Sequence, residues 1–468
     1  MASLNTAWNI TTSALTADQA ALATIANNTA NATTPGYTQE SVVWQQAPPL
    51  EVDGRTVSDG VVDAGAVSQR DRVLNRSIDL QAQTQAATAS RLGGLENLES
   101  VFSSATGVSG TTTGGIGDGL SGFFGAVQQL EALPSNPSLR ESVLAAANAM
   151  AQSFNAAAAN LNQQQQTLNG DVQSVVTQAN GLLQSLATLN GQIQSADPNQ
   201  DAGVLEDQRQ QDLATLSGLL GIQQTTTERN GLTLSTVDGN PLVEGATAAT
   251  LSTADIGGVE HVFSGATDLT SAIVSGGGQA GGLIQVAQTD IPSALLSLDT
   301  LAYDVGSAIN TVNEAGSDQN GNAGVAIFTL PSTVTGSAAS MSVAITNPAQ
   351  IAAAAVGAGP SDGSNATAMA ALASASVVAG ATPSNYLASL VASLGSTTAR
   401  VGSANVAQQA SLTQLTNQQS ALSGVSLDSE ATALENMEQA YEAASKVFAV
   451  VSAIIADAMN LGTPESAV

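Results

Sequence analysis

The longest unbroken helical spacing in this chain runs from Ser138 to Ser195, and it limits the possible folds more than any other feature. Leu139, Val143, Phe154, Leu161, Leu168, Val172, Val175, Leu182, Leu186, Leu189 and Ile193 recur through it at helical intervals. A periodic pattern well beyond about 25 residues predicts a coiled-coil-like rod rather than an ordinary globular helix. Asp197-Pro198 breaks it, and Leu205 to Leu220 predicts a second helix that folds back and ends at Gly221. Aromatic residues make up only 3% of the chain, so the layers packed on such a rod are expected to be thin and rich in Ala.

Further helices are expected over Leu4–Asn28, Arg70–Phe102, Phe123–Leu133, Leu283–Val312 and Tyr386–Leu422. The stretch Arg70–Phe102 carries its spacing on Val73, Leu74, Ile78, Leu92, Leu95 and Leu98. Ser41 to Gln69 alternates in places and holds Asp53-Gly54 and Asp59-Gly60, which predicts short strands and turns. Gly107 to Gly119 reads as a loop. From Ile222 to Val274 Thr, Val and Gly rise together with turn pairs, which predicts a small β module closed by Gly276–Gly282. Phe328 to Ile345 has room for two strands, and Ala349 to Gly380 shows no clear period. The expected class is mainly α with β modules: paired N- and C-terminal helices of coiled-coil type, a long-helix bundle, and a small outer β domain.

The two ends carry the patterns of most functional interest. At the start, Leu4, Trp8, Leu15, Leu22 and Ile25 form a thin stripe, interrupted by Thr11 and Asp18 and flanked by Ala7, Ala14 and Ala21. The helix stops before Pro35-Gly36, a pair suited to the centre of a type II turn because Gly accepts positive φ. At the other end Ser423-Gly424-Val425 interrupts a helix, and Ser426 or Asp428 can cap the next one. There Leu434, Met437, Tyr441, Ala444, Phe448, Val451, Ile455 and Ala458 alternate steps of three and four. With Leu434 at position a, the g positions are Ala440, Val447, Ile454 and Leu461, all apolar. A face that wide is better buried by several helices than by one. The assembly interface expected from these stripes comprises Leu4, Trp8, Leu15, Leu22, Ile25, Leu434, Met437, Tyr441, Phe448, Val451 and Ile455.

Both ends are acidic, so their attraction must come from apolar burial, worth about 1.5–3 kcal/mol per large side chain. Backbone ordering costs about 1–2 kcal/mol per residue. One thin stripe is therefore marginal, and the arms are expected to be mobile in the monomer and ordered by neighbours.

The charge balance excludes several classes. Ten basic residues against 38 acidic ones give a formal charge of −28, and Lys446 is the single lysine. Binding to nucleic acid or to an anionic membrane surface needs clustered Lys and Arg, so neither partner is expected. Cys is absent, which rules out disulfides and thiolate chemistry. No apolar run reaches about 18 residues, so no membrane insertion is expected. The start of the chain lacks the charged region of a secretory signal peptide, and export would then need a dedicated machine.

Chemistry-bearing patterns are equally sparse. His261 is the only histidine and reads as a structural or surface residue. Asp318-Gln319-Asn320-Gly321-Asn322 begins like a calcium loop but fails at Ala323 and Thr329, where Gly and Glu are needed, and a turn is the better reading. No catalytic residue, metal ligand or cofactor is predicted.

At this point the residues carry a resemblance. Ala26-Asn27-Asn28-Thr29-Ala30-Asn31 followed by Thr34-Pro35-Gly36-Tyr37-Thr38-Gln39 resembles the N-terminal signature of bacterial flagellar axial proteins, and most of all that of the hook-associated protein 1 family. The motif residues are Asn27, Asn28, Asn31, Pro35, Gly36 and Tyr37. Ser423 to Glu430, then Gln439-Ala440-Tyr441 and the stripe to Leu461, is similar to that family's C-terminal signature. Leu205-Glu206-Asp207-Gln208-Arg209 and Asn240-Pro241-Leu242-Val243-Glu244-Gly245 are similar in the middle. Ser429 departs from the usual acid, and an outermost β domain of many members is missing or reduced.

The resemblance implies a structural protein without catalytic activity, secreted through the flagellar export channel and assembled outside the cell. Its implied partners are other copies of itself, the hook protein, a second junction protein, and an export chaperone on the C-terminal helix. It implies an assembly domain over 1–45 plus 424–468, a long-helix bundle over 46–221 plus 283–423, and an outer β domain over 222–282, with 328–345 as a remnant of a further insertion. Two other readings stay open: another axial component such as a rod or hook subunit or the second junction protein, and a secreted coiled-coil adhesin whose β module binds a ligand.

Overall fold

The computed structural model describes residues 2–34, 36–52, 55–105, 115–195, 202–226 and 231–460. In chain order the elements begin with α1 (Ala2–Asn31), β1 (Glu40–Gln46), β2 (Leu50–Val52), β3 (Arg55–Val57) and β4 (Val61–Ser68). Four helices follow: α2 (Arg72–Ala105), α3 (Ile116–Ala132), α4 (Pro137–Ser195) and α5 (Gly203–Leu219). Then come β5 (Gln223–Thr226), β6 (Leu232–Ser235), β7 (Pro241–Glu244), β8 (Thr247–Ala248), β9 (Leu251–Ile256), β10 (Val259–Ser264) and β11 (Thr267–Asp268). The chain continues through α6 (Thr270–Gly276), α7 (Gly278–Gln285), a π-helical turn (Val286–Asp290) and α8 (Ile291–Glu314). Next are β12 (Gly316–Ser317), β13 (Phe328–Thr329), α9 (Ser337–Ser340), β14 (Ser342–Val343), β15 (Ala354–Ala355) and α10 (Ser364–Ala371). It closes with α11 (Pro383–Ser423) and α12 (Leu427–Asn460). The long periodic stretch is thus one helix, α4, with Pro137 at its first position, where the missing N–H costs nothing. The breaker Asp197-Pro198, the Asp53-Gly54 pair, Pro35 and Leu461 lie outside the described residues.

Two compact units make up the chain. Unit 1 comprises Met1–Gln83, Gln178–Thr250 and Gln409–Val468. Its apolar core joins Leu183, Leu186, Leu189 and Ile193 of α4, Leu213 and Leu216 of α5, and Leu234, Leu242 and Val243 of the antiparallel sheet β5-β6-β7-β8. Asn190 of α4 is fully buried and holds that sheet: its Oδ1 accepts from Leu232 N at 2.9 Å, and its Nδ2 donates to Leu232 O and, at 3.0 Å, to Gly245 O. β1 pairs antiparallel with β4 around a bulge between Val42 and Trp44, with the β2-β3 hairpin between them in sequence. α1 packs against this ribbon at Gly60, whose φ of +97° and whose approach to Ile10 Cα leave no room for a side chain.

The first half of α2 differs from its expected apolar stripe. Val73 is 78% exposed, and the face turned inward carries Asn75, Asp79 and Gln83 at four-residue steps. Each is matched: Gln419 Nε2 donates to Asn75 at 2.7 Å, Gln224 Nε2 to Asp79 at 2.8 Å, and Gln83 Nε2 to Ile222 O at 3.1 Å. Buried polar groups persist when hydrogen-bonded, and partners so distant in sequence leave no local sign.

Unit 2 comprises Thr84–Thr177 and Leu251–Gln408. Its core joins Ile116, Phe123 and Leu130 of α3, Val143, Met150, Phe154 and Leu161 of α4, and Ile291, Leu298, Leu301, Val305 and Ile309 of α8. Phe123 meets Phe328 of β13 with ring centroids 6.0 Å apart. The two strands expected within Phe328–Ile345 are β13 and β14, which pair antiparallel. The segment read as one β module holds two separate sheets, β5–β8 and β9–β11, and its end at 270–276 is helical.

Two Gly-rich stretches, the expected loop Gly107–Gly119 and the Gly276–Gly282 segment expected to close the β module, contribute residues to helices. α3 begins at Ile116, ahead of the expected Phe123, and residues 107–114 of the expected loop lie outside the described residues. Gly119 is a contact residue: a Cβ there would sit 3.0 Å from Met150 Cα. Gly278 to Gln285 forms α7, and a Cβ on Gly282 would lie 2.2 Å from Ala87 O. In both places glycine permits close helix approach rather than a turn.

Asp318 closes the calcium-like pentapeptide as a turn. Its Oδ1 accepts from Asn320 N and Asn322 N, both at 2.8 Å, and its Oδ2 from Asn322 Nδ2 at 3.1 Å. These bonds and the Arg140 guanidinium hold its carboxyl below the usual range against the opposing effect of burial. His261 sits on β10 with Nδ1 2.9 Å from Asp268 Oδ2 at the surface.

Candidate assembly site at the chain ends

α1 packs along α12 within unit 1. Trp8 meets Phe448 with ring centroids 4.5 Å apart and planes tilted by 42°. Gln19 Nε2 lies 3.4 Å from Tyr441 Oη. Ile25 and Val451 are buried; Leu4, Trp8, Leu15, Leu22, Met437, Tyr441, Phe448 and Ile455 are half-buried; Leu434 is exposed. Ala17 and Ala21 of α1 are buried as well. Thr11 is buried without cost, since its hydroxyl donates to Ala7 O and Trp8 O of its own helix. Partial burial pushes the Asp18 carboxyl up. The g positions of α12 behave differently: Val447 and Ile454 are about half exposed, at 51% and 48%, and Val450 beside them reaches 59%. α1 covers one side of an apolar face and leaves the other open.

Beyond the stripe lies a polar clamp. Asn28, 2% exposed, is its centre. Its Oδ1 accepts from Tyr37 Oη at 2.7 Å and from Glu40 N at 3.0 Å. Its Nδ2 donates to Glu40 O at 2.8 Å and to Glu430 Oε1 at 3.2 Å. An asparagine side chain can do all this because it is both donor and acceptor. Glu430 also accepts from Gln39 Nε2 at 2.7 Å. Burial first, and then the carboxylates of Glu40, Asp207 and Glu430, push the Tyr37 phenol up to about 12, so it stays a donor at neutral pH.

The remaining motif residues shape the turn that delivers Tyr37. Asn31 Nδ2 donates to Asn27 O and Oδ1, closing the last turn of α1. Tyr37 N donates to Thr34 O at 3.2 Å with Gly36 at φ +82°, the left-handed position expected of this pair. Thr38 then reaches α5, its hydroxyl donating to Asp207 Oδ1 at 3.0 Å. Gln39 N donates to Ser423 O at 2.9 Å, and Ser423 Oγ donates to Gln69 O at 2.9 Å. Ser426 O accepts from Glu430 N at 2.9 Å and opens α12.

Sequence reasoning placed Asn28 and Tyr37 in a motif but did not find Glu40, Gln39, Asp207 or Glu430 as their partners. Glu430 was legible as the last residue of the C-terminal signature and an acid in the first turn of a helix, not as a partner of Asn28. The available signal was the coincidence of polar residues in two end signatures, with no period to link positions so far apart.

Comparisons with known proteins bear on this geometry. Residues 95–328, half of the chain, match the helical domain of the flagellar hook-associated protein FlgK. Residues 9–38 match the flagella basal body rod protein family. Flagellar hook-associated protein 1 of Escherichia coli (strain K12) is 26% identical, over 96% of this chain and 98% of its own length. That alignment spans 550 positions, more than the 468 residues here, so the relative carries segments without a counterpart. The protein of the same name from Bacillus subtilis (strain 168) is 25% identical over 96% of both chains. The structure of the flagellar hook junction protein FlgK from Burkholderia pseudomallei shares the fold, with a TM-score of 0.67 and 16% identity over 74% of this chain and 99% of that one. The terminal motif, the long-helix fold and these full-length relatives agree, and the chain belongs to the flagellar hook-associated protein 1 (FlgK) family.

Proposed function

We propose that copies of this chain polymerise through the paired helices α1 and α12 to form the layer at the hook–filament junction, the place its family occupies in the flagellum. The observation that carries this reading is the half-covered face of α12. Val447, Val450 and Ile454 stand open beside a seam that α1 closes. Open apolar area on a soluble chain marks a surface meant for another protein. In the assembled layer that face meets neighbouring copies, with the hook protein on one side and the second junction protein on the other. Before export the same face suits an export chaperone, and the chain works after secretion, outside the cell, without catalysis. Residues 1–45 plus 424–468 serve as the assembly domain. Residues 46–221 plus 283–423 form the bundle that carries an outer β domain at 222–282, with 328–345 as the remnant of a further insertion.

Two measurements test this. A strain without the chain should carry hooks without filaments and release monomeric flagellin into the medium. A chain lacking Leu434 to Val468 should fail to enter the flagellum while its core from about Val61 to Leu422 stays folded by circular dichroism. Filament growth on the truncated chain would refute the role given to α12.

A further inference from the structure

Six acids are buried among the described residues, and five of them have partners for their carboxylates. Asp79 is held by Gln210 and Gln224, Glu206 by Arg70, Asp299 by Gly336 N and Ala338 N, Asp318 by its own turn, and Glu430 by Asn28 and Gln39. Glu260 of β10, in unit 2, is the exception. It is 4% exposed. Its backbone N donates to Asn169 Oδ1 at 3.2 Å, but its carboxylate makes no hydrogen bond or ion pair among the described residues.

The fold sets a second carboxylate beside it. β9 and β10 form a hairpin turned by Gly257 and Gly258, whose φ values of +68° and +89° suit a two-residue turn. The register places Glu260 opposite Asp255. Glu260 N donates to α4 instead of across the ladder, so this is the pair without hydrogen bonds. Facing side chains stand closest in such a pair, with Cα atoms about 4.5 Å apart. Leu251 and Val262 share this face at 3% and 0% exposure, so it is the one turned inward. Asp255 lies at its open end, with Oδ1 accepting from Gly258 N at 2.9 Å and Oδ2 unpartnered among the described residues. Asn169 holds the hairpin tip against α4, its Nδ2 donating to Gly258 O at 2.9 Å.

Like charges directly opposite each other in a sheet are destabilising, and buried charges are paired or coordinate metals. Unit 2 supplies no cation of its own here. Of its three arginines, Arg91 pairs with Asp290, Arg140 donates to Pro134 O and Ile351 O, and Arg400 makes no ion pair among the described residues. His261 lies on the other face of β10, beside Asp268. We propose that Asp255 and Glu260 together bind one divalent cation, with calcium the best match. Carboxylate oxygens are hard donors, and calcium accepts an irregular shell completed by water, whereas magnesium demands a near-ideal octahedron. Among the described residues no third His, Asp or Glu joins the pair, so water fills the rest of the shell. So few protein ligands put the dissociation constant in the range of extracellular modules, about 10⁻⁴–10⁻³ M. The bound ion turns a cross-strand repulsion into a bridge and fixes the β9–β10 hairpin.

The test uses the full-length chain, stripped with a chelator at neutral pH and titrated with calcium chloride at constant ionic strength. At about 10 mM calcium the folding equilibrium should be favoured about ten- to a hundredfold. The readout is a raised urea midpoint, and calorimetry should show one saturable site. Glu260→Gln keeps the shape of the side chain and removes its charge. In chelator this variant should be at least as stable as the wild type, and with calcium it should lose both the midpoint shift and the calorimetric site. Asp255→Asn should lose most of the shift. A calcium response shared by Glu260→Gln would overturn the proposal, since the surface acids would then be taking up the ion diffusely. So would a wild type that does not respond, because Glu260 would then be a buried acid that keeps its proton. A Glu260→Gln variant less stable than the wild type in chelator would also overturn it, since the carboxylate would already be satisfied within the chain.

Discussion

Along α8, Ile291, Leu298, Leu301, Val305 and Ile309 are each no more than 1% exposed, whereas α12, with an equally regular repeat, has Val451 at 8% as its one buried large apolar residue among those described. Val447, Val450 and Ile454 keep about half of their surface in water. Both helices satisfy the same spacing rule. They differ in who covers the face: α8 is enclosed by its own unit, and α12 has a single companion in α1. Periodicity therefore reports that a face will be buried, and only the count of neighbours reports whether the chain can bury it alone.

The largest expected effect separates the two helices directly. Leu301→Ala removes a fully enclosed side chain and should destabilise the monomer by about 2–5 kcal/mol. Ile454→Ser, on the open face, should cost well under about 1 kcal/mol and yet prevent entry into the flagellum. Urea unfolding of the monomer and recovery of the chain in detached flagella measure the two quantities. A stability loss at Ile454 comparable with that at Leu301 would mean the face is already buried in the monomer, and the contrast would collapse.

That contrast also explains which parts of the fold could be read from sequence. α4 and α12 were legible to within a few residues because their apolar positions repeat locally. The wide face of α12 was legible too, since the g row of Val447 and Ile454 is printed in the heptad itself. The glycines of α3 and α7 misled because Gly119 and Gly282 serve a neighbour's approach, which no local pattern encodes. α2 misled in the opposite sense. Its buried face carries Asn75, Asp79 and Gln83, whose partners lie more than a hundred residues away. At the chain ends the motif residues stood out, but the carboxylate of Glu430 that joins them did not.

A smaller effect is expected where α12 is held by polar contacts instead of apolar ones. Asn28→Ala deprives Tyr37, Glu40 and Glu430 of their shared partner in a buried setting. Unsatisfied buried groups cost about 1–3 kcal/mol, so in a Trp44→Phe background the urea midpoint followed by Trp8 fluorescence should fall accordingly, because Trp8 reports on Phe448 and hence on the α1–α12 pair. An unchanged midpoint would show that the arms are not docked in the monomer. The sequence-based expectation of arms ordered only by neighbours would then stand, and the clamp would act after assembly.

The smallest effect concerns α2, which buries a polar face where α8 buries an apolar one. Burial raises the Asp79 carboxyl above its ordinary value, against the opposing pull of Gln224 and Gln210. The proton is thus held more tightly in the folded chain than in the unfolded one. Its stabilising contribution is complete below the ordinary carboxylate range and is lost as the pH rises through the raised folded value. Asp79→Asn keeps an acceptor for both glutamine amides and carries no charge. The variant should therefore gain stability relative to the wild type as the pH is raised from about 4 to 7, read as a widening gap between their urea midpoints. A gap that narrows over that interval would mean the carboxylate is favoured in the fold, and that the two glutamines outweigh desolvation.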